Sequence, residues 1–403
     1  MSTPTAERPA LEVADIIRQH GDAFRQKFAA ILGPAQKKAL RDLARCRTAA
    51  LGGHVERCLD CGHQRIAYNS CRNRHCPKCQ ARTRAVWLVA QAEQLLPVEY
   101  YHLVFTLPDE LSDLAKANPS VLYDLLFRAA AGAIRTVAAN PKRLGAVPGL
   151  LLVLHTWGQT LTHHPHVHGV VTGGGLSCDD QGRIDAAPKW VSCRPGFFLP
   201  VRVLSRVFRG QYLNGLRQAH AQGRLRFFGR LTALADAAAF HAFLRPLAAK
   251  DWVVYAKRPF GSPTQVLKYL ARYTHRVAIS NSRLVRLEAG RVTFRYQDYA
   301  DERKPKTMTL DALEFLRRFV QHVLPHGFTK VRHYGLLANR FRQERLSACR
   351  RLLLVTTVPA ATRPVPGAGE SPAAEPAGER CCPECGSRRL ERMAVLPTPA
   401  NTS

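Results

Sequence analysis

Residues 150–175 read LLLVLHTWGQTLTHHPHVHGVVTGGG. Leu150 to Trp157 and Val167 to Thr172 are apolar runs of strand length, and the polar stretch between them is a loop joining neighbouring strands. His166 and His168 flank a single apolar residue, Val167. Residues i and i+2 of a strand face the same side, so both imidazoles point together while Val167 faces the core. His155, on the preceding strand, could supply a third imidazole across the hairpin. Three nitrogen ligands with open positions describe a catalytic metal site rather than a closed structural one. His163 and His164 fall in the loop and are weaker ligands. Gly173-Gly174-Gly175 permits close backbone approach. A lone His-x-His is weak evidence of a ligand pair, so its setting carries the argument.

Outward from this hairpin, strand and helix signals alternate. Tyr101 to Leu107 predicts a strand and Pro108 to Ala139 is largely helical. Helices are expected near 201–222, 236–249, 263–276 and 309–324, with strands at Trp252 to Ala256, 284–287 and 291–296. Strands joined by hairpins and mixed with helices predict an α+β domain with a largely antiparallel sheet. Three units follow: 1–97, with N-terminal helices over 10–45 and a cysteine-rich segment; 98–350, the main globular part; and 351–403, a Pro/Ala-rich linker with a cysteine-containing tail.

Lys and Arg number 59 against 30 Asp and Glu, a formal charge of +29. Such an excess calls for a polyanionic partner, most simply a nucleic-acid backbone. No secretory signal opens the chain and no uncharged run reaches membrane-spanning length, so a cytoplasmic protein with no membrane partner is expected.

Cys58-x2-Cys61 and Cys76-x2-Cys79 are two knuckles suited to one tetrahedral structural zinc. Cys46, His54, Cys71 and His75 could form a second zinc site interleaved with the first, or could be ordinary buried and polar contacts. Arg57, Arg65, Arg72, Arg74, Lys78, Arg82 and Arg84 surround this segment and make nucleic acid its expected partner. Cys381, Cys382 and Cys385 resemble half of a zinc ribbon, either a remnant or a half that borrows ligands from elsewhere.

Ser262-Pro263-Thr264-Gln265 is a helix start, with serine as N-cap, proline at N1 and glutamine at N3. In the helix that follows, Val266, Leu270 and Val277 form the apolar stripe. Tyr269 and Tyr273 stack along one edge of it, with Lys268, Arg272 and Arg276 towards the polar side. Tyrosines at such an edge can be plain packing. Beside a metal site in a basic chain, a phenol oxygen could instead attack a phosphodiester, and the cations could bind neighbouring phosphates.

CRTAALGGHVERCLDCGHQRIAYNSCRNRHCPKCQ at 46–80, HPHVH at 164–168 and YLARY at 269–273, in this order, resemble the two-tyrosine HUH transposases of rolling-circle bacterial insertion sequences, of the insertion sequence 91 type. The resemblance covers nearly the whole chain. It implies a ferredoxin-like HUH endonuclease domain with an antiparallel sheet, histidines on a central strand and tyrosines on a neighbouring helix, plus a small N-terminal zinc-ribbon domain. It further implies Tyr269 and Tyr273 as paired nucleophiles, a 5′-phosphotyrosine on single-stranded DNA, structural Zn2+, and a catalytic Mg2+ or Mn2+ on the motif residues His166 and His168, with Gln159 as an alternative to His155 for the third ligand. No Gly-x4-Gly-Lys-Ser/Thr run occurs, so unwinding would fall to a host helicase. A bacterial, nucleoid-associated location would follow from DNA binding. The competing functions are a plasmid replication initiator or relaxase of the same chemistry, a non-catalytic zinc-dependent DNA-binding protein, and a zinc hydrolase using the three histidines.

Overall fold

The computed structural model describes residues 11–80, 87, 91–179, 181–257, 265–266, 277–299, 301–356 and 381–399. The chain opens with helices Val13–Lys27 (α1) and Pro34–Arg45 (α2), followed by a hairpin of Gly53–Cys58 (β1) and Gln64–Tyr68 (β2). Next come Tyr100–Thr106 (β3), helices Ser112–Ala117 (α3) and Pro119–Ala139 (α4), and strands Ala146–Trp157 (β4), His163–Ser177 (β5) and Trp190–Ser192 (β6). Helices Val201–Ala221 (α5) and Ala237–Ala249 (α6) lead to Val254–Lys257 (β7). The meander Leu284–Glu288 (β8), Arg291–Asp298 (β9) and Lys304–Asp311 (β10) precedes helix Ala312–Val320 (α7). Val331–Gly335 (β11), helix Arg342–Thr356 (α8) and Leu390–Leu396 (β12) complete the described elements.

The main sheet runs in the order β11-β4-β5-β3-β7, with β6 paired to β5, and every pairing is antiparallel. Period-two alternation gives its two faces different work. Leu103, Phe105, Leu150, Leu152, Leu154, Val167 and Val171 point to one side and share a core with α4 and α5. Helix α4 suits that face: proline starts it, and Leu122, Leu126, Ala129, Ala133 and Val137 recur at helical spacing and are buried. The other face carries Tyr100, Leu151, Val153 and Val170, packed with Val266. Residues in register with these on β4 and β5, among them His155, His166 and His168, lie on the same side.

The glycine run is a packing device within the protein. A Cβ on Gly175 would stand 2.3 Å from the Val147 carbonyl oxygen, one on Gly174 2.6 Å from that of Val191, and one on Gly173 2.9 Å from that of Glu99. Side chains there would force the neighbouring backbones apart.

Several elements differ from expectation. Strand β5 begins at His163, so His163 and His164 lie on the strand rather than in the loop, and His163 pairs with Trp157. The helix expected from 309 begins at Ala312, because Thr309 pairs with Thr293 in the β9–β10 ladder and Asp311 caps α7 by accepting from the Leu313 and Glu314 amides. Strands β1, β2, β6, β10, β11 and β12 and helix α8 have no counterpart among the expected elements. The N-terminal helices share a core with the meander and α7, through Val13, Ile16, Phe24, Leu40, Phe294 and Phe315. Among the described residues, no helix is long and apolar enough to cross a membrane.

Candidate metal centres on the histidine face and in the cysteine-rich segment

The hairpin places the predicted histidines together. His155 and His166 are directly paired in the β4–β5 register, and His168 follows two residue pairs along, on the same face. One ring nitrogen from each of the three lies within 4.8 Å of the others. The His166 and His168 Nε2 atoms stand 3.1 Å apart. Nδ1–H of His166 donates to the His164 carbonyl oxygen at 2.7 Å, which commits the lone pair of that ring to Nε2. Burial, the largest cause, holds the His166 pKa down to about 4, with the bond to His164 opposing it, so the ring is neutral near pH 7. Neutral imidazoles are the metal-binding form. Two ligands at right angles on bonds of about 2.1 Å would sit about 3.0 Å apart, so the Nε2 separation suits one edge of an octahedral cation.

Sequence inspection missed His102. It lies on β3, opposite Val170 and two residue pairs away from His168, hence on the same face of the sheet. Its Nε2 is 3.0 Å from His168 Nδ1, and the two rings stack with centroids 5.3 Å apart. Burial, followed by the charge of Lys257, holds His102 down to about 3. Nothing local in Tyr101-His102-Leu103 signals this role; only the β3–β5 register brings the ring to His168.

Trp157 stacks on His155 at 4.6 Å between centroids, and the Lys330 ammonium lies 5.0 Å from the indole. Beside Trp157 opens a cavity of about 350 Å³ that Arg72, Arg74, Trp87, Val277 and Lys330 help to line. The histidine face is therefore flanked by aromatic and cationic groups. Tyr269, Tyr273, Lys268, Arg272 and Arg276 lie outside the described residues.

The cysteines group differently from expectation. Cys46, Cys71, Cys76 and Cys79 form one set, and Cys58, Cys61, Cys382 and Cys385 another. Cys58 and Cys61 therefore do not meet Cys76 and Cys79. The cause is the β1–β2 hairpin. Cys58 and Cys61 sit at its turn, whereas Cys46 and Cys71 lie at its open end, about 17 Å away along a six-residue strand. In the first set, Cys46 Sγ lies 3.6 Å from both Cys79 Sγ and Cys76 Sγ, and Cys71 Sγ lies 3.7 Å from Cys79 Sγ. A tetrahedron with Zn–S arms of about 2.3 Å has edges of about 3.8 Å, so the thiols fit one zinc.

Neither proposed histidine joins these sets. His54 Nε2 is 2.8 Å from Glu56 Oε1, and Glu56 in turn accepts from Arg65, so His54 is held in a polar chain on the hairpin. His75 Nε2 accepts from the Leu324 amide at 3.3 Å, which ties the segment to the loop that follows α7. Burial holds His75 down to about 3.

An antiparallel sheet bearing a three-histidine cluster on its central hairpin, joined to a cysteine-rich metal-binding unit, defines the class of protein. Known sequences narrow it. The family described as "Transposase zinc-binding domain" matches residues 16–107, and the family described as "Putative transposase" matches residues 149–345. The chain is 52% identical over 346 residues to "Putative transposase y4qJ" of Sinorhizobium fredii, covering 86% of this chain and 85% of that protein. It is 30% identical over 306 residues to "Transposase for insertion sequence element IS801" of Pseudomonas savastanoi pv. phaseolicola, covering 73% of this chain and 68% of that protein. No solved structure matches the chain. The chain belongs to the insertion sequence 91 family of transposases and carries that family's zinc-binding domain. A transposase acts on DNA, so DNA is the polyanion that its charge of +29 called for.

Proposed function

We propose that this transposase cuts and rejoins single-stranded DNA through a covalent phosphotyrosine, in the manner of an HUH endonuclease, for rolling-circle-type transposition. One observation carries this reading. Val266, three residues before Tyr269, is buried with Leu151, Val153 and Val170 on the sheet face that bears His155, His166 and His168. Val277, four residues after Tyr273, lines the cavity beside Trp157, which stacks on His155. The described residues on either side of the tyrosine stretch thus both lie against the histidine side.

His155, His166 and His168 would hold a divalent ion, Mn2+ or Mg2+. An all-imidazole donor set favours Mn2+ of the two. Such an ion would polarise the scissile phosphate and offset its developing charge. The phenol oxygen of Tyr269 or Tyr273 gives up its proton and forms a bond to phosphorus as the bond to the 3′-oxygen breaks. The 3′-oxygen leaves as a hydroxyl, taking up a proton, and the 5′-phosphate stays on the tyrosine. Attack by a 3′-hydroxyl on that ester reverses the step and joins strands without an external energy source. A second tyrosine allows a further strand to be held while the first link persists. Lys268, Arg272 and Arg276 would bind flanking phosphates, the zinc-binding segment would bind DNA at element ends, and a host helicase would supply unwinding.

The test is incubation with single-stranded element-end DNA and Mn2+ or Mg2+, followed by a denaturing gel. A metal-dependent protein–DNA adduct is expected, and it disappears when Tyr269 and Tyr273 are both changed to Phe. Cleavage without any adduct would point to a hydrolase, and DNA binding without cleavage to a non-catalytic binding protein. Either result would overturn the proposal.

A further inference from the structure

Cys382 and Cys385 lie beyond both family matches, which end at residues 107 and 345. We propose that they complete a second zinc site with Cys58 and Cys61, so that one zinc ribbon is assembled from opposite ends of the chain. Cys58 Sγ lies 3.6 Å from Cys385 Sγ, and Cys61 Sγ lies 3.5 Å from Cys382 Sγ. These separations are far from the ~2.05 Å of a disulfide and close to the ~3.8 Å edge of a zinc tetrathiolate.

The two halves repeat one local structure. Each is Cys-x-x-Cys-Gly, and the glycines adopt left-handed φ values of 74° at Gly62 and 72° at Gly386. The amide of each glycine donates to the carbonyl of the first cysteine of its knuckle at 2.9 Å, Gly62 to Cys58 and Gly386 to Cys382. The amide of each first cysteine donates back across the turn, Cys58 to His63 at 2.8 Å and Cys382 to Ser387 at 2.7 Å. Two matching knuckles thus face each other with all four sulfurs converging.

Around the sulfurs the halves are stitched together. Strand β12 pairs antiparallel with β1 from Cys58↔Leu390 to Gly53↔Leu396. Arg389 Nη1 is 2.8 Å from Asp60 Oδ1, and Arg65 donates to the Cys381 carbonyl at 2.9 Å. Yet β12 buries little: its five central residues are exposed, with Val395 at 71%. A strand that hides so little apolar surface gains too little from burial to stay docked alone. Zinc supplies the missing free energy, because thiolates gathered only in the folded state turn metal affinity into folding stability. The tail is therefore a metal-closed part of the N-terminal unit.

Zinc content of the purified, reduced full-length protein tests this, measured in a His166→Ala/His168→Ala background so that the imidazoles do not contribute. Two zinc ions per chain are expected. Cys382→Ser/Cys385→Ser should leave one, Cys58→Ser/Cys61→Ser should leave one, and all four changes together should still leave one. Cys381→Ser, outside the cluster, should keep both. Circular dichroism checks that each variant is folded, and cobalt substitution reports thiolate ligation by its charge-transfer absorption, halved by either double change. Unchanged zinc and cobalt signals on losing Cys382 and Cys385, or one zinc in the parent, would overturn the proposal.

Discussion

His102 Nε2 lies 3.0 Å from His168 Nδ1, across the β3–β5 pairing. That contact fixes the orientation of the His168 ring and leaves its Nε2 to face His166 Nε2 at 3.1 Å. Partners of metal-binding imidazoles of this kind change affinity by about 10–100-fold when removed. His102→Ala is therefore predicted to weaken Mn2+ binding by that order, measured by electron paramagnetic resonance titration, while zinc content stays at the parent value. Unchanged Mn2+ affinity would remove His102 from its positioning role.

His166→Ala and His168→Ala are each expected to abolish Mn2+ binding and adduct formation. DNA retention in a gel-shift assay should persist, because the cysteine-rich segment is a separate cluster of side chains. Loss of DNA binding in step with loss of metal would place DNA recognition on the histidine face instead.

Gly175→Ala is predicted to destabilise the sheet. Its Cβ would sit 2.3 Å from the Val147 carbonyl oxygen, a backbone atom of the paired strand that cannot swing aside. Overpacking of this kind costs about 1–3 kcal/mol. Urea denaturation should show a lower midpoint with an unchanged slope; an unchanged midpoint would mean that β4 and β5 separate at little cost.

His163 and His322 are buried with ring centroids 6.2 Å apart. His163 is bonded to Ser112 and Tyr123, and His322 to Thr156 and the Leu161 carbonyl. Burial holds His163 down to about 2 and His322 down to about 4. An unfolded chain protonates both near pH 6.5. Their contribution is thus fully present above about pH 6.5 and is lost as pH falls towards the folded values, because only the unfolded state takes up protons there. The melting midpoint should be level above about pH 7 and fall below about 6.5, with zinc content followed in the same samples. His322→Gln should make that fall shallower. A midpoint level down to pH 5 would contradict this.

The HPHVH segment shows its strand and its shared face in the sequence, because period-two alternation needs no tertiary information. His155 was legible for a similar reason, since the two apolar runs had to pair. His102 was not, because its approach to His168 depends on the β3–β5 register, which joins segments 66 residues apart. Cysteine spacing identified the knuckles but not their partners: a Cys-x-x-Cys turn fixes two sulfurs, and the hairpin length decides which pair they meet. The shared Cys-x-x-Cys-Gly of residues 58–62 and 382–386 was the available clue. Strand β12 carries no local signal because it is exposed and pairs with a segment at the other end of the chain.

In the mechanism proposed above, Tyr269 or Tyr273 carries the DNA during strand transfer. Peptide mapping by mass spectrometry of the covalent adduct, formed on single-stranded element-end DNA with Mn2+, tests it most directly. The predicted result is a nucleotide 5′-phosphate on Tyr269 or Tyr273, with none formed when His166 and His168 are both alanine. A nucleotide attached to any other residue, or one formed equally well without those histidines, would contradict it.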